Sequence, residues 1–142
     1  MAAIPKKIMV AVDGSDVGFR AADFAIELAK KLESEVVFIN VAGASSSEAN
    51  YRITADMAGS FEELGSEALS KCEQDAKNRG VKSTTLLVPG TPSDEILANA
   101  KKMNCDCIVI GKTGLKKLGK LLMGSVSEKV TNQSDIPVVI VK

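Results

Sequence analysis

The 142-residue chain contains no histidine and a single tyrosine. Without imidazole there is no Ser-His or Cys-His nucleophile pair, and the commonest general base is missing. A structural zinc site is disfavoured as well. Cys72, Cys105 and Cys107 are the only cysteines, and the C-x-C pair at 105 and 107 lacks a second ligand cluster. The three read as small apolar residues of a reduced protein. An excess of either charge is also lacking: Lys plus Arg and Asp plus Glu number 18 each. The whole molecule therefore has no field to draw in nucleic acid or an anionic membrane, and any basic site must be local. No apolar run approaches the roughly 18 residues of a membrane span. The opening MAAIPKKIMVAVDGS has too short an apolar run for a signal peptide and meets Asp13 at once. A cytoplasmic location is the expectation. Internal repeats and inter-domain linkers are missing too, so residues 1–142 read as one domain.

What is present is an alternation of apolar runs and helical patterns. Lys7–Val12 is a continuous apolar run stopped by Asp-Gly, as expected of a strand buried on both faces. Val36–Val41, Thr84–Val88, Cys107–Ile110 and Val138–Val141 are the other expected strands. Ser15 offers a cap to a first helix whose inner face is read as Ala21, Phe24, Ala25, Leu28 and Leu32. Phe61, Leu64, Ala68, Cys72 and Ala76 mark a second helix, ended by Gly80. Thr91-Pro92-Ser93-Asp94 opens a third, with Thr91 as cap, and Ser125 to about Gln133 forms the last. Strand–helix alternation throughout implies right-handed βαβ units and a parallel sheet covered on both sides. The exception is GASSSEANYRITADMAGS, from Gly43 to Ser60. It reads as a flexible loop, either a lid or a disordered segment.

The stretch VIGKTGLKKLGKLLMGSVSEKV, Val109 to Val130, carries the chemistry. Gly114 to Leu121 nearly spells a Walker phosphate loop. However, Leu121 stands where a hydroxyl must hold Mg²⁺, and the glycine turn starts beyond the strand's end. Gly14 and Gly18 have the wrong spacing for a dinucleotide fingerprint. A different spacing fits: Gly111-x-x-Gly114, nine residues, then Gly124-Ser125. That is a strand, a permissive loop, and a helix N-terminus whose amides can receive an anion. Ser125-Val-Ser-Glu128 is also a capping box, which would use up those amides internally. Lys112, Lys116, Lys117 and Lys120 offer countercharge to a polyphosphate, or simply solvate an exposed loop.

The spacing Gly111-x-x-Gly114-nine-Gly124-Ser125 resembles the G-2x-G-9x-G-S/T signature of the ATP-binding branch of the universal stress protein family. Ile8–Ser15, Gly90-Thr-Pro92, Cys107–Gly111, Gly124–Val130 and Ile136–Val141 are similar to that family's landmarks in the same order, over essentially the whole chain. The resemblance implies a doubly wound, five-stranded parallel sheet in order 3-2-1-4-5, a Rossmann-like α/β fold of the adenine nucleotide alpha hydrolase-like type. It also implies a ligand crevice. Ala11, Val12, Asp13 and Val41 would line adenine and ribose, and Ile110, Gly111, Lys112 and Gly114 would wrap the phosphates. Gly124, Ser125, Val126 and Ser127 would donate to those phosphates. The implied cofactor is ATP, with Mg²⁺ carried on the nucleotide's own oxygens. Asp13 has a second reading as a turn carboxylate capping the first helix. Val138–Val141 would form the sheet's edge, where an apolar strand is rarely left open, and the resemblance implies a homodimer paired through it. The function so implied is a stress-response regulator whose nucleotide occupancy biases shape or partner choice, with at most weak ATP hydrolysis. The alternatives are a slow ATP hydrolase or phosphoryl or adenylyl transferase, and a dimeric interaction module without nucleotide.

Overall fold

The structure, a computed structural model, describes residues 4–42, 55–113 and 123–142, with the backbone alone described over 55–61. The elements in chain order are β1 (Lys7–Ala11), α1 (Asp16–Leu32), β2 (Glu35–Val41), α2 (Ala55–Asn78) and β3 (Ser83–Val88). They continue with α3 (Pro92–Lys102), β4 (Cys107–Gly111), α4 (Ser125–Gln133) and β5 (Val138–Val141). All strands run parallel in the order β3-β2-β1-β4-β5, as the resemblance implied.

The central strands are apolar along most of their length because both of their faces are covered. Along β1, Ile8 and Val10 point into one core with Val36, Phe38, Cys107 and Val109, beneath α1 and α2. Met9 points the other way, into a second core with Val37, Ile39, Ile108 and Ile110 beneath α3 and α4. The strict alternation follows from the two-residue period of a strand. Ile8, Met9, Val10 and Phe38 are wholly buried, each side chain contributing about 1.5–3 kcal/mol relative to exposure.

Three details differ from the sequence reading. The buried face of α1 is Val17, Gly18, Ala21, Ala22, Ala25, Ile26 and Ala29, a stripe of small residues that lets the helix lie close to the sheet. Phe24 falls at its flank and is 44% exposed. Similarly, α2 buries Ala68, Leu69, Cys72 and Ala76 but leaves Leu64 59% exposed. The helix α2 begins at Ala55, so the last part of the segment read as a loop over 43–60 is helical; residues 43–54 lie outside the described residues. Among the described residues no helix is long and apolar enough to cross a membrane.

Candidate functional site

The order β3-β2-β1-β4-β5 reverses direction between β1 and β4, which pair from Ile8 opposite Cys107 to Val10 opposite Val109. Chain leaving β1 turns toward β2, and chain leaving β4 turns toward β5. Such a switch point, beyond the carboxyl ends of the strands where the two connections diverge, is where open α/β sheets form a ligand crevice. Ala11, Val12 and Asp13 leave β1 there, and Val41 closes β2. Ile110, Gly111 and Lys112 leave β4, and Gly124, Ser125, Val126 and Ser127 form the start of α4. Gly114 and the lysines at 116, 117 and 120 lie outside the described residues.

The β4 exit and the α4 start are tied together around one carbonyl. The Gly124 amide donates to the Lys112 carbonyl at 2.8 Å, and the buried Ser127 hydroxyl donates to the same oxygen at 2.7 Å. Ser127 Oγ also lies 3.0 Å from the Gly124 carbonyl oxygen. The Lys112 amide continues the sheet ladder by donating to Val141 O at 2.7 Å. Gly111 sits in close packing: a β-carbon there would stand 3.1 Å from both Val17 methyls and 3.2 Å from Thr113 O, so those neighbours would have to give by a few tenths of an ångström. The first turn of α1 thus rests directly on the end of β4.

The two helices that open at this crevice end differently. At α1, Ser15 is the N-cap, and its hydroxyl oxygen accepts from Gly18 N at 3.1 Å. Asp13 Oδ1 in turn accepts from the Ser15 amide at 2.9 Å and from the Ser15 hydroxyl at 2.5 Å. The turn role of Asp13 is therefore present in the structure, and this helix end is closed by side chains. At α4 the N-cap is Gly124, with φ −66° and ψ 154°, and it makes no side-chain cap hydrogen bond. The helix starts at Ser125 itself, so the Ser125–Glu128 capping box suggested by the spacing does not form. The exposed Ser125 is one position too late to cap. The first intrahelical bond is Glu128 N to Gly124 O at 3.0 Å. By helix geometry the amides of Ser125, Val126 and Ser127 have no intrahelical acceptor. Among the described residues no side chain caps these three amides, which lie at the positive end of the α4 dipole. Gly124's own amide is committed to Lys112 O, so its part in the site is to hold the turn.

Sequence reasoning passed over Asn40. It is the one polar residue inside the apolar run of β2, and it is only 7% exposed. Its side-chain amide donates to Val12 O at 2.7 Å. A polar residue interrupting a run of buried apolar ones was the available signal.

The thiols stand apart from this chemistry. Burial pushes Cys72 up to about 12 and Cys105 up to about 11, and raises Cys107 as well. They stay protonated at neutral pH and are poor nucleophiles there. Among the described residues no group of three or more His, Cys, Asp or Glu side chains is placed to hold a metal ion.

A parallel sheet whose strand order reverses between β1 and β4, with helices on both faces, defines the class of open, doubly wound α/β domains. Within that class the chain belongs to the universal stress protein family, whose model matches residues 5–142. It is 38% identical to the universal stress protein MJ0531 of Methanocaldococcus jannaschii, over 96% of this chain and 82% of the relative. Universal stress protein YxiE of Bacillus subtilis is 32% identical, over 96% of this chain and 98% of the relative. Among solved structures, the hypothetical protein MJ0577 superposes with a TM-score of 0.82 at 25% identity, covering 99% of this chain and 97% of that one. A universal stress protein in complex with cAMP superposes with a TM-score of 0.76 at 25% identity, covering 99% of each chain.

Proposed function

We propose that this universal stress protein binds ATP in the β1–β4 crevice and acts as a homodimeric, cytoplasmic stress-response regulator rather than as a catalyst. The observation that carries the reading is the α4 start, where Ser125, Val126 and Ser127 present amides that no side chain among the described residues caps. A triphosphate supplies the acceptors those amides need, and the helix dipole favours its charge. The spacing of Gly111, Gly114 and Gly124 supports the same placement, as does the cAMP held by a similar protein. In this reading Ala11, Val12, Asp13 and Val41 receive adenine and ribose. Ile110, Gly111, Lys112 and Gly114 flank the phosphates. Mg²⁺ rides on the nucleotide's oxygens. Strand β5 lies at the sheet edge with all four residues only half-buried, and pairing with a second copy would cover it.

The test is binding itself. Protein purified without added nucleotide is denatured in acid, the supernatant is assayed for adenine nucleotide, and the native protein is dialysed against Mg-ATP. Bound or co-purified ATP is expected, together with a dimer in sedimentation. An empty preparation that takes up no Mg-ATP would leave a dimeric interaction module in its place. Phosphate release above background, abolished by Asp13→Ala, would make the protein an ATP hydrolase instead.

A further inference from the structure

Resting on the nucleotide reading above, we infer that Asn40 is a positioning residue that fixes the adenosine half of the crevice by holding the chain where it leaves β1. Strand β1 ends at Ala11, yet the next residue is anchored twice to β2. The Val12 amide donates to the Ile39 carbonyl at 2.9 Å, and the Val12 carbonyl accepts from Asn40 Nδ2 at 2.7 Å. The first is a backbone bond and the second comes from a side chain, which ties the chain to β2 one step past the strand. Asp13 follows immediately, and Val41 is the next residue along β2. The bond between Asn40 and Val12 thus joins the two backbone segments assigned to adenine and ribose.

The orientation of the Asn40 amide is fixed chemically. A carbonyl only accepts, so the NH₂ group must face Val12 and the oxygen must face the other way. That oxygen points at α2, where a β-carbon on Gly65 would stand 2.3 Å from Asn40 Oδ1 and 2.7 Å from Cγ. Gly65 sits within α2, where glycine is disfavoured. The structure explains its presence: nothing larger leaves room for the Asn40 amide. A residue serving only to fill the interior would be apolar, like its neighbours Phe38 and Ile39. Asn40 is polar, and its hydrogen bond ends at the site.

The experiment compares wild type with Asn40→Leu, which keeps approximate shape and loses the donor, and with Gly65→Ala, which pushes the amide without touching the crevice. Dissociation constants are measured for ATP, adenosine and inorganic tripolyphosphate, with a thermal melt for each protein. Asn40→Leu is expected to weaken ATP and adenosine by about tenfold, the size of a lost buried hydrogen bond, and to leave tripolyphosphate unchanged. Gly65→Ala should follow it in direction. A purely structural role would weaken all three ligands together or none. Should either variant fold poorly, the wild-type side-chain amide resonances of Asn40 serve instead. They should move with adenosine and with ATP but not with tripolyphosphate, and immobility with adenosine overturns the inference. A wild type that binds no adenine nucleotide fails the ATP reading and this inference with it. A wild type that binds ATP, with a folded Asn40→Leu that binds equally well, fails the inference alone.

Discussion

Ser127→Ala separates a brace from a phosphate ligand, because the Ser127 hydroxyl is already used inside the protein. Its oxygen lies 2.7 Å from Lys112 O and 3.0 Å from Gly124 O. Neither carbonyl is left without a partner when it is removed. Lys112 O keeps the Gly124 amide at 2.8 Å, and Gly124 O keeps the Glu128 amide at 3.0 Å. The loss is therefore the net worth of one neutral hydrogen bond, about 1 kcal/mol, and not the larger penalty of a stranded buried group. Alanine's better helix propensity returns roughly a few tenths of a kcal/mol. Urea unfolding should show a loss of about 0.5–1 kcal/mol with unchanged slope, and the melting temperature should fall by about 2–4 °C. Ser125→Ala is the control: that residue is exposed and caps nothing, so it should stay within about 0.5 kcal/mol of wild type. If Ser127→Ala proves as neutral as Ser125→Ala, the brace around Lys112 O does not exist in solution. If Ser125→Ala is the costly one, the helix is capped after all and the amides are not available.

Further outcomes follow from the same geometry. Gly18→Ala should reduce stability despite the usual helical gain of about 1 kcal/mol, since the new β-carbon would stand 2.8 Å from Asp13 Oδ1 and disturb the Ser15 cap; a thermal melt reads this, and a rise in stability would refute it. Arg79 binds Asp23 at 2.6 Å and Glu27 at 3.2 Å on an accessible surface. Arg79→Ala should therefore cost no more than about 1 kcal/mol, and less in high salt. The thiols should resist an aromatic disulfide reagent until the protein unfolds. Because Cys72 and Cys105 are raised from 9.0 to about 12 and about 11, the folded state keeps protons that the unfolded chain releases above pH 9. Stability should then fall as pH rises from 9 toward 12, by about 1.4 kcal/mol per pH unit for each thiol still protonated only in the folded state. A flat profile there would mean the thiols are not buried.

Strand positions were legible in the sequence because runs such as Ile8–Val10 and Ile108–Ile110 are apolar on both faces and need no register to be recognised. Their lateral order was not contained in those runs. It came from the resemblance, since pairing β1 with β4 joins residues about a hundred positions apart. Helix faces were legible only to within a residue or so. A three- and four-residue step accommodates Phe24 or Ala22 equally well on α1, and only the close seating against the sheet selects the small one. The N-terminus of α4 was located correctly, but not its cap. A capping box in sequence and a bare helix start differ by one residue, and the first intrahelical bond, from Glu128 N to Gly124 O, decides between them. Asn40 stood out only as a polar interruption of β2, and its role was not legible because its partner Val12 follows β1 and its neighbour Gly65 lies on α2.

The most direct measurement is a two-dimensional ¹H–¹⁵N spectrum of the labelled protein titrated with Mg-ATP. The amides of Ser125, Val126 and Ser127 should move most and saturate together, with Asp13 and Val41 following. Shifts confined to other parts of the chain, or a spectrum that ATP leaves unchanged, would contradict a phosphate site at the start of α4.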